Sequence, residues 1–212
     1  MILRPALVVL APVVLSGCIA GAVGADEPPA ETFVLPTEAV IDEPSASRGP
    51  QLLVPEPITL DVLSSPRVVV RVGEREVQYL GESRFGDTLT RLTQIKLKRA
   101  LEGGRGIGAA ALPGEGLAID FQVITDIRSF EIRTGPPDTA FVSLAIKLLN
   151  DRNGNVVAQR LFQSSRLVVL PADEELRNDA YVAALDDALA NALIDVRDWV
   201  EGRVGRGRRA GV

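Results

Sequence analysis

Leu117-Ala-Ile-Asp-Phe-Gln-Val123 alternates strictly, placing Leu117, Ile119, Phe121 and Val123 on one face, yet by Phe130 and Ile132 the apolar residues have moved to even numbers. Side chains along a strand alternate between faces, so this change of phase predicts one long strand with a bulge between Thr125 and Ser129. Farther on, Val142, Leu144, Ile146 and Leu148 alternate again. Asn153-Gly154 then separates that run from Val156 to Val169, which predicts a β-hairpin and hence three successive long antiparallel strands. From Asp173 to Val200 the period changes: Tyr181, Leu185, Leu189, Ala192, Val196 and Trp199 recur at spacings of three and four, one apolar helical stripe. Asp186, Asp187, Asp195 and Asp198 are expected on its polar back.

Upstream of this block the elements are shorter. Thr32-Phe-Val-Leu-Pro36, Leu52–Val54, Val68–Val72 and Glu76–Leu80 are strand candidates, with Pro55, Pro57 and Pro66 confining them to short pieces or sheet edges. Leu89, Leu92, Ile95, Leu97, Ala100 and Leu101 predict a helix that Asp87 caps and Gly103-Gly104 stops. The expected fold is therefore α+β: a mostly antiparallel sheet with a three-strand meander, and two helices covering one face.

The 212 residues are 46% hydrophobic and 24% charged, enough for one domain with a sizeable core. With 23 basic against 28 acidic residues, the chain has no broad attraction to nucleic acid. Histidine is absent and Cys18 is the sole cysteine. That inventory removes His/Cys metal sites, Cys–His and Ser–His catalysis and internal disulfides, and no cofactor motif survives inspection. Gly104-Arg-Gly106-Ile-Gly108 mimics a dinucleotide fingerprint, but it follows a helix and precedes a strand, the reverse of the required order; it reads as a flexible connection. Asp151-Arg-Asn153-Gly154-Asn155 lacks the glycine and glutamate of a calcium loop at the sixth and twelfth positions, and reads as a turn. Glu174-Glu175 and Asp186-Asp187 are adjacent on a helix, so each pair diverges by about 100° instead of sharing a catalytic site. Ser164-Ser165 with Lys96, Lys98 or Lys147 as base reads more simply as strand-face and helix-face residues.

The first residues carry the sharpest local signal. Met1-Ile-Leu-Arg4 is a short basic start and Pro5–Leu15 an uncharged run, the anatomy of a secretory signal. An uncleaved anchor is the alternative, but Pro12, Ser16, Gly17, Gly21 and Gly24 lower its hydrophobicity and break its helix. Leu15-Ser16-Gly17-Cys18 closely resembles a bacterial lipobox, an aliphatic residue and two small ones before a cysteine that is lipidated and becomes the mature N-terminus. The organisation expected is a signal over residues 1–17, a lipidated tether over 18–31, a domain over 32–201 and a disordered Gly/Arg tail over 202–212. Ile19 stands where inner-membrane retention would usually place Asp, so resemblance to sorted lipoproteins favours the outer membrane, facing the periplasm. The tail carries Arg203, Arg206, Arg208 and Arg209; without these and Arg4, 18 basic residues face 28 acidic ones. Docking of that tail on anionic headgroups or an acidic partner is one reading, a solvated tail the other.

Taken together, the lipobox, Thr32-Phe-Val-Leu-Pro36, Leu60-Asp-Val-Leu-Ser-Ser-Pro-Arg-Val-Val-Val-Arg71, Glu76-Val-Gln-Tyr79 and Ser83-Arg84-Phe85-Gly86 resemble the auxiliary lipoproteins of ABC-type transport systems, the family that includes the paraquat-inducible-type lipoprotein. One departure is Arg84-Phe85-Gly86, where many relatives have an Arg-Trp-Ala-like approach to the first helix. The resemblance implies a non-catalytic, cofactor-free partner of MCE-domain proteins and their ABC permease and ATPase. Such systems move phospholipids or other hydrophobic compounds between envelope membranes. Homo-oligomerisation is left open. Tyr79, Phe85 and the strand carrying Val68 and Val70, expected at a sheet edge, are the candidate partner contacts. Two other readings compete: a lipoprotein assisting lipopolysaccharide or β-barrel assembly, and an envelope enzyme, which would need a polar cleft uniting distant carboxylates.

Overall fold

The computed structural model describes residues 30–36 and 49–209. The phase change at residues 125–129 has the predicted origin. β7 (Phe121–Arg133) pairs antiparallel with β8 (Thr139–Asn150), and their register slips between Ile127 and Ser129, leaving Arg128 as the extra, exposed residue. Val123 and Ile127 before the bulge therefore share a buried face with Phe130 and Ile132 after it. Leu117 lies outside the strand and is exposed, so the regular pairing starts later than the alternation begins. β9 (Val156–Leu167) completes the meander, with Gly154 at φ +71° in the connecting turn, a conformation that glycine adopts without a Cβ clash.

The expectation of a mostly antiparallel sheet needs correction. β2 (Gln51–Leu53), β3 (Ile58–Thr59) and β4 (Arg67–Val72) lie one after another along the second edge of β7, all parallel to it. The chain thus follows β7 from its start to its end in three pieces. Pro55 and Pro57 separate the first two, and Pro66 precedes the third; a residue without an N–H cannot extend a ladder, which is why the track is broken. β1 (Glu31–Phe33) pairs parallel with β5 (Glu76–Phe85), and β2 parallel with β6 (Ala109–Ala111). Five of the eight strand pairings are parallel, although the three longest strands pair antiparallel. β4 is correspondingly an interior strand between β5 and β7, not an edge.

Three helices accompany the sheet, one more than expected: the single turn α1 (Asp61–Ser64), α2 (Leu89–Glu102) and α3 (Arg177–Arg209). Thr88, not Asp87, caps α2, accepting from the Arg91 N–H at 3.4 Å, while Asp87 accepts from the Thr88 N–H. Asp173 caps a 3-10 turn (Glu174–Leu176) that leads into α3. α3 also runs through Arg209, so the segment expected to be disordered from residue 202 continues the helix; residues 210–212 lie outside the described residues. The predicted stripe faces the sheet, with Leu185, Leu189, Ala192, Val196 and Trp199 buried and Tyr181 half-buried. Trp199 meets Phe162 of β9 edge to face, with ring centroids 5.6 Å apart.

Two features depart from the expected surface chemistry. Asp186 is buried, not solvent-facing, and its carboxylate lies 3.0 Å from Lys96 Nζ, also buried, across the α2–α3 contact. The glycine-rich connection is a close crossing rather than a flexible link: a Cβ on Gly108 would fall 2.3 Å from Gly49 O, and one on Gly49 only 2.4 Å from Gly108 N. Breaking the buried ion pair from one side should be costly. Lys96→Met is expected to destabilise the protein by about 3–5 kcal/mol in urea unfolding, with most of that recovered in Lys96→Met/Asp186→Leu, which removes both charges.

Candidate functional site

Helices α2 and α3 pack on one face of the sheet and cover nothing of the other, where the Tyr79 hydroxyl donates to Val62 O of the single turn α1 at 3.4 Å. Along that second face the strand registers bring together side chains that are remote in sequence. Tyr79 of β5 lies opposite Val69 of β4, and Val69 opposite Glu131 of β7, which in turn pairs with Phe141 of β8. The guanidinium of Arg67 sits 3.6 Å above the Tyr79 ring, and that of Arg133 lies 3.5 Å above Phe141. Glu131, 2% exposed, accepts from Arg71 through both oxygens at 2.9 and 2.7 Å and from Arg133 Nε at 2.9 Å. Arg84 pairs with Arg67 in the β4–β5 register and donates to Thr32 Oγ1 of β1 at 3.2 Å. The result is a stripe of four arginines and two aromatic rings across four neighbouring strands, with one buried carboxylate beneath it.

The electrostatics follow from that geometry. Burial alone would raise the Glu131 carboxyl, but the charge-assisted bonds from Arg71 and Arg133 outweigh it and hold Glu131 below the ordinary carboxylate range. The bond to Glu131 raises Arg71 in turn. Away from the stripe, burial and a 2.7 Å hydrogen bond to Asp138 push the Tyr181 hydroxyl up to about 12.

The sequence-predicted contacts divide. Tyr79 belongs to the stripe and is half-buried. Phe85 is core, packed edge to face on Phe130 at 5.8 Å, and Val68 is fully buried, so neither is available to a partner. Val70 is half-buried on the helix side, in register with Ile132. Leu15, Ser16, Gly17 and Cys18 lie outside the described residues, as do the signal and most of the tether. Glu131 was missed although a signal existed: a lone acid between Phe130 and Ile132 in a strand interior asks for a buried partner.

Among the described residues, the carboxylates and lysines weighed as catalytic are held apart or engaged by neighbours. A cleft of about 410 Å³ near the β8–β9 hairpin contains Asp120, whose oxygens are engaged by the Gln51 N–H and Arg152. Glu174 and Glu175 lie in the exposed 3-10 turn, and Lys98 is held by Glu102. Among the described residues no cluster of acidic side chains is placed to hold a metal, and no helix is long and apolar enough to cross a membrane.

Removing the charge of Glu131 tests the network. Its lowered folded pKa means that its contribution is present above the unfolded carboxyl value and is lost as pH falls through the folded one. Glu131→Gln should therefore cost about 1–3 kcal/mol at pH 7, with Arg71 and Arg133 partly solvent-screened, and the gap from the parent should close in acid. Urea midpoints measured from pH 7 down to pH 3 would check this.

Comparison with known proteins places this geometry. Protein XCC0632 from Xanthomonas campestris has a crystal structure that superposes with a TM-score of 0.74 at 26% identity, covering 85% of this chain and 99% of that one. The hypothetical protein CT253 from Chlamydia trachomatis shares the fold at TM-score 0.52 and 10% identity, over 74% of this chain and 98% of that one. An uncharacterized protein of Bradyrhizobium diazoefficiens, bll6063, is 27% identical over 170 residues, which is 79% of this chain but 44% of that protein. The chain thus spans less than half the length of that curated relative. Residues 33–196 match the family described as the ABC-type transport auxiliary lipoprotein component, and the chain belongs to that family.

Proposed function

We propose that this protein is a lipid-anchored, periplasm-facing auxiliary subunit of an MCE-type ABC transport system that moves phospholipids or other hydrophobic compounds across the Gram-negative envelope. The family match over residues 33–196 carries the reading. The lipobox-like Leu15-Ser16-Gly17-Cys18 supports it from the sequence, because lipidation at Cys18 would attach the domain to a membrane through the segment before β1. A non-catalytic role suits a chain without histidine, whose sole cysteine is the lipidation candidate. Outer-membrane attachment follows from Ile19 where a retention signal would carry Asp. In this role the domain attaches and organises the complex, while its MCE-domain and permease partners handle the transported compound.

The test is affinity purification of the tagged, lipidated protein from native envelopes in mild detergent, with a Cys18→Ala control. Mass spectrometry should identify an MCE-domain protein with its permease and ATPase, depleted in the control. Recovery of a β-barrel or lipopolysaccharide assembly complex instead would overturn the transport reading and support the outer-membrane assembly alternative.

A further inference from the structure

We infer that the uncovered sheet face docks on an anionic phospholipid surface through Arg67, Arg84 and Arg133, so that the domain lies with its sheet toward the membrane. The inference rests on the lipid-anchored reading for the source of proximity, and on two structural observations for the face.

The first is charge segregation. The chain has a net charge of −5, yet the stripe sets Arg67, Arg71, Arg84 and Arg133 against Glu131 as its one carboxylate, and that carboxylate is buried under Arg71 and Arg133. The helix side is mixed in sign: Asp187 and Asp195 of α3 stand there with Asp198, which is paired to Arg197, and with Arg160 and Arg166 of β9. An anionic surface therefore attracts the stripe more strongly than the mixed helix side. Arg67 and Arg133 are exposed, with their guanidinium groups seated over the Tyr79 and Phe141 rings, which keeps both charges at the surface where phosphate oxygens can reach them.

The second observation is where the chain enters the domain. β1 lies against the end of β5, with Thr32 in register with Arg84 and bonded to its guanidinium. The dozen residues between Cys18 and Glu31 can span at most roughly 45 Å when fully extended. A lipid on Cys18 would therefore hold the arginine-bearing corner, where the chain enters the domain, within that distance of the bilayer. Glu31 and Asp87 are exposed beside this corner and limit its net charge, which makes the attraction dependent on the whole stripe rather than on one residue.

The mature chain from Ile19, which carries no acyl group, separates the docking claim from the anchoring claim. Co-sedimentation with phosphatidylcholine vesicles, with and without about one-third phosphatidylglycerol, should show binding only to the anionic vesicles, weakening as salt rises. Each arginine near such a surface contributes about five-fold in affinity, so Arg67→Gln/Arg84→Gln should lose on the order of 25-fold. Arg67→Lys/Arg84→Lys should retain most binding, and Arg160→Gln/Arg166→Gln, on the helix side of β9, should match the parent. Circular dichroism of each variant confirms that the fold is kept. Equal binding to both vesicle types, or anionic binding unaffected by Arg67→Gln/Arg84→Gln, overturns the proposal. So does tighter binding to soluble polyglutamate than to vesicles, which would assign the face to an acidic protein partner. Alkyne–fatty-acid labelling of Cys18 in cells reports separately on the anchor.

Discussion

The pairing of β7 along both of its edges is the constraint on which the rest of the structure depends. Every other strand but β1 is bonded either to β7 or to a strand that is, and β1 joins through β5 and β4. A buried strand with open N–H and C=O groups is costly, so thirteen residues of β7 demand a partner over their whole length on each side. One long strand, β8, meets that demand on one edge, and the proline-broken track of β2, β3 and β4 meets it on the other at the start, middle and end of β7. The bulge at Arg128 then keeps the apolar side chains before and after it on one face, where α2 and α3 cover them. The same register leaves Glu131, Arg133 and their neighbours on the other face.

Much of this architecture is legible in the residues themselves. Alternation located β7 and β8, the phase shift located the bulge, Asn153-Gly154 located the hairpin, and the 3.6-residue period located α2 and α3. Strand direction in the first half was not legible, because Leu52–Leu53 and Ile58–Thr59 are too short to show which way or against what they pair. The prolines were read correctly as breaks, but breaks suit an edge strand and an interrupted interior track equally, and β4 is interior. The burial of Asp186 was missed for a related reason. On α3 it adjoins Leu185 in sequence, and only the position of Lys96 on α2 makes a carboxylate tolerable there.

The candidate site was legible in part. Tyr79 is in the arginine stripe, but Phe85 and Val68 are structural, because the β4–β5 irregularity carries Phe85 to the core side. Between the Val69–Tyr79 and Arg67–Arg84 pairs, β4 moves two positions while β5 moves five, and Glu82 takes φ +53° within that stretch. No alternation rule applied to β5 alone could anticipate that. The stripe itself joins residues from β4, β5, β7 and β8, so it exists only once the registers are known.

In the proposed arrangement an anchor before β1 and the arginine stripe beside it act together at one membrane surface. The most direct measurement is the depth of two fluorophores on the lipidated protein in anionic vesicles containing brominated lipids, one label replacing Ser165, the exposed cross-strand neighbour of Phe141, and the other Asp195. The account predicts strong quenching at position 165 and little at position 195. Equal quenching at both, or stronger quenching at 195, would contradict it.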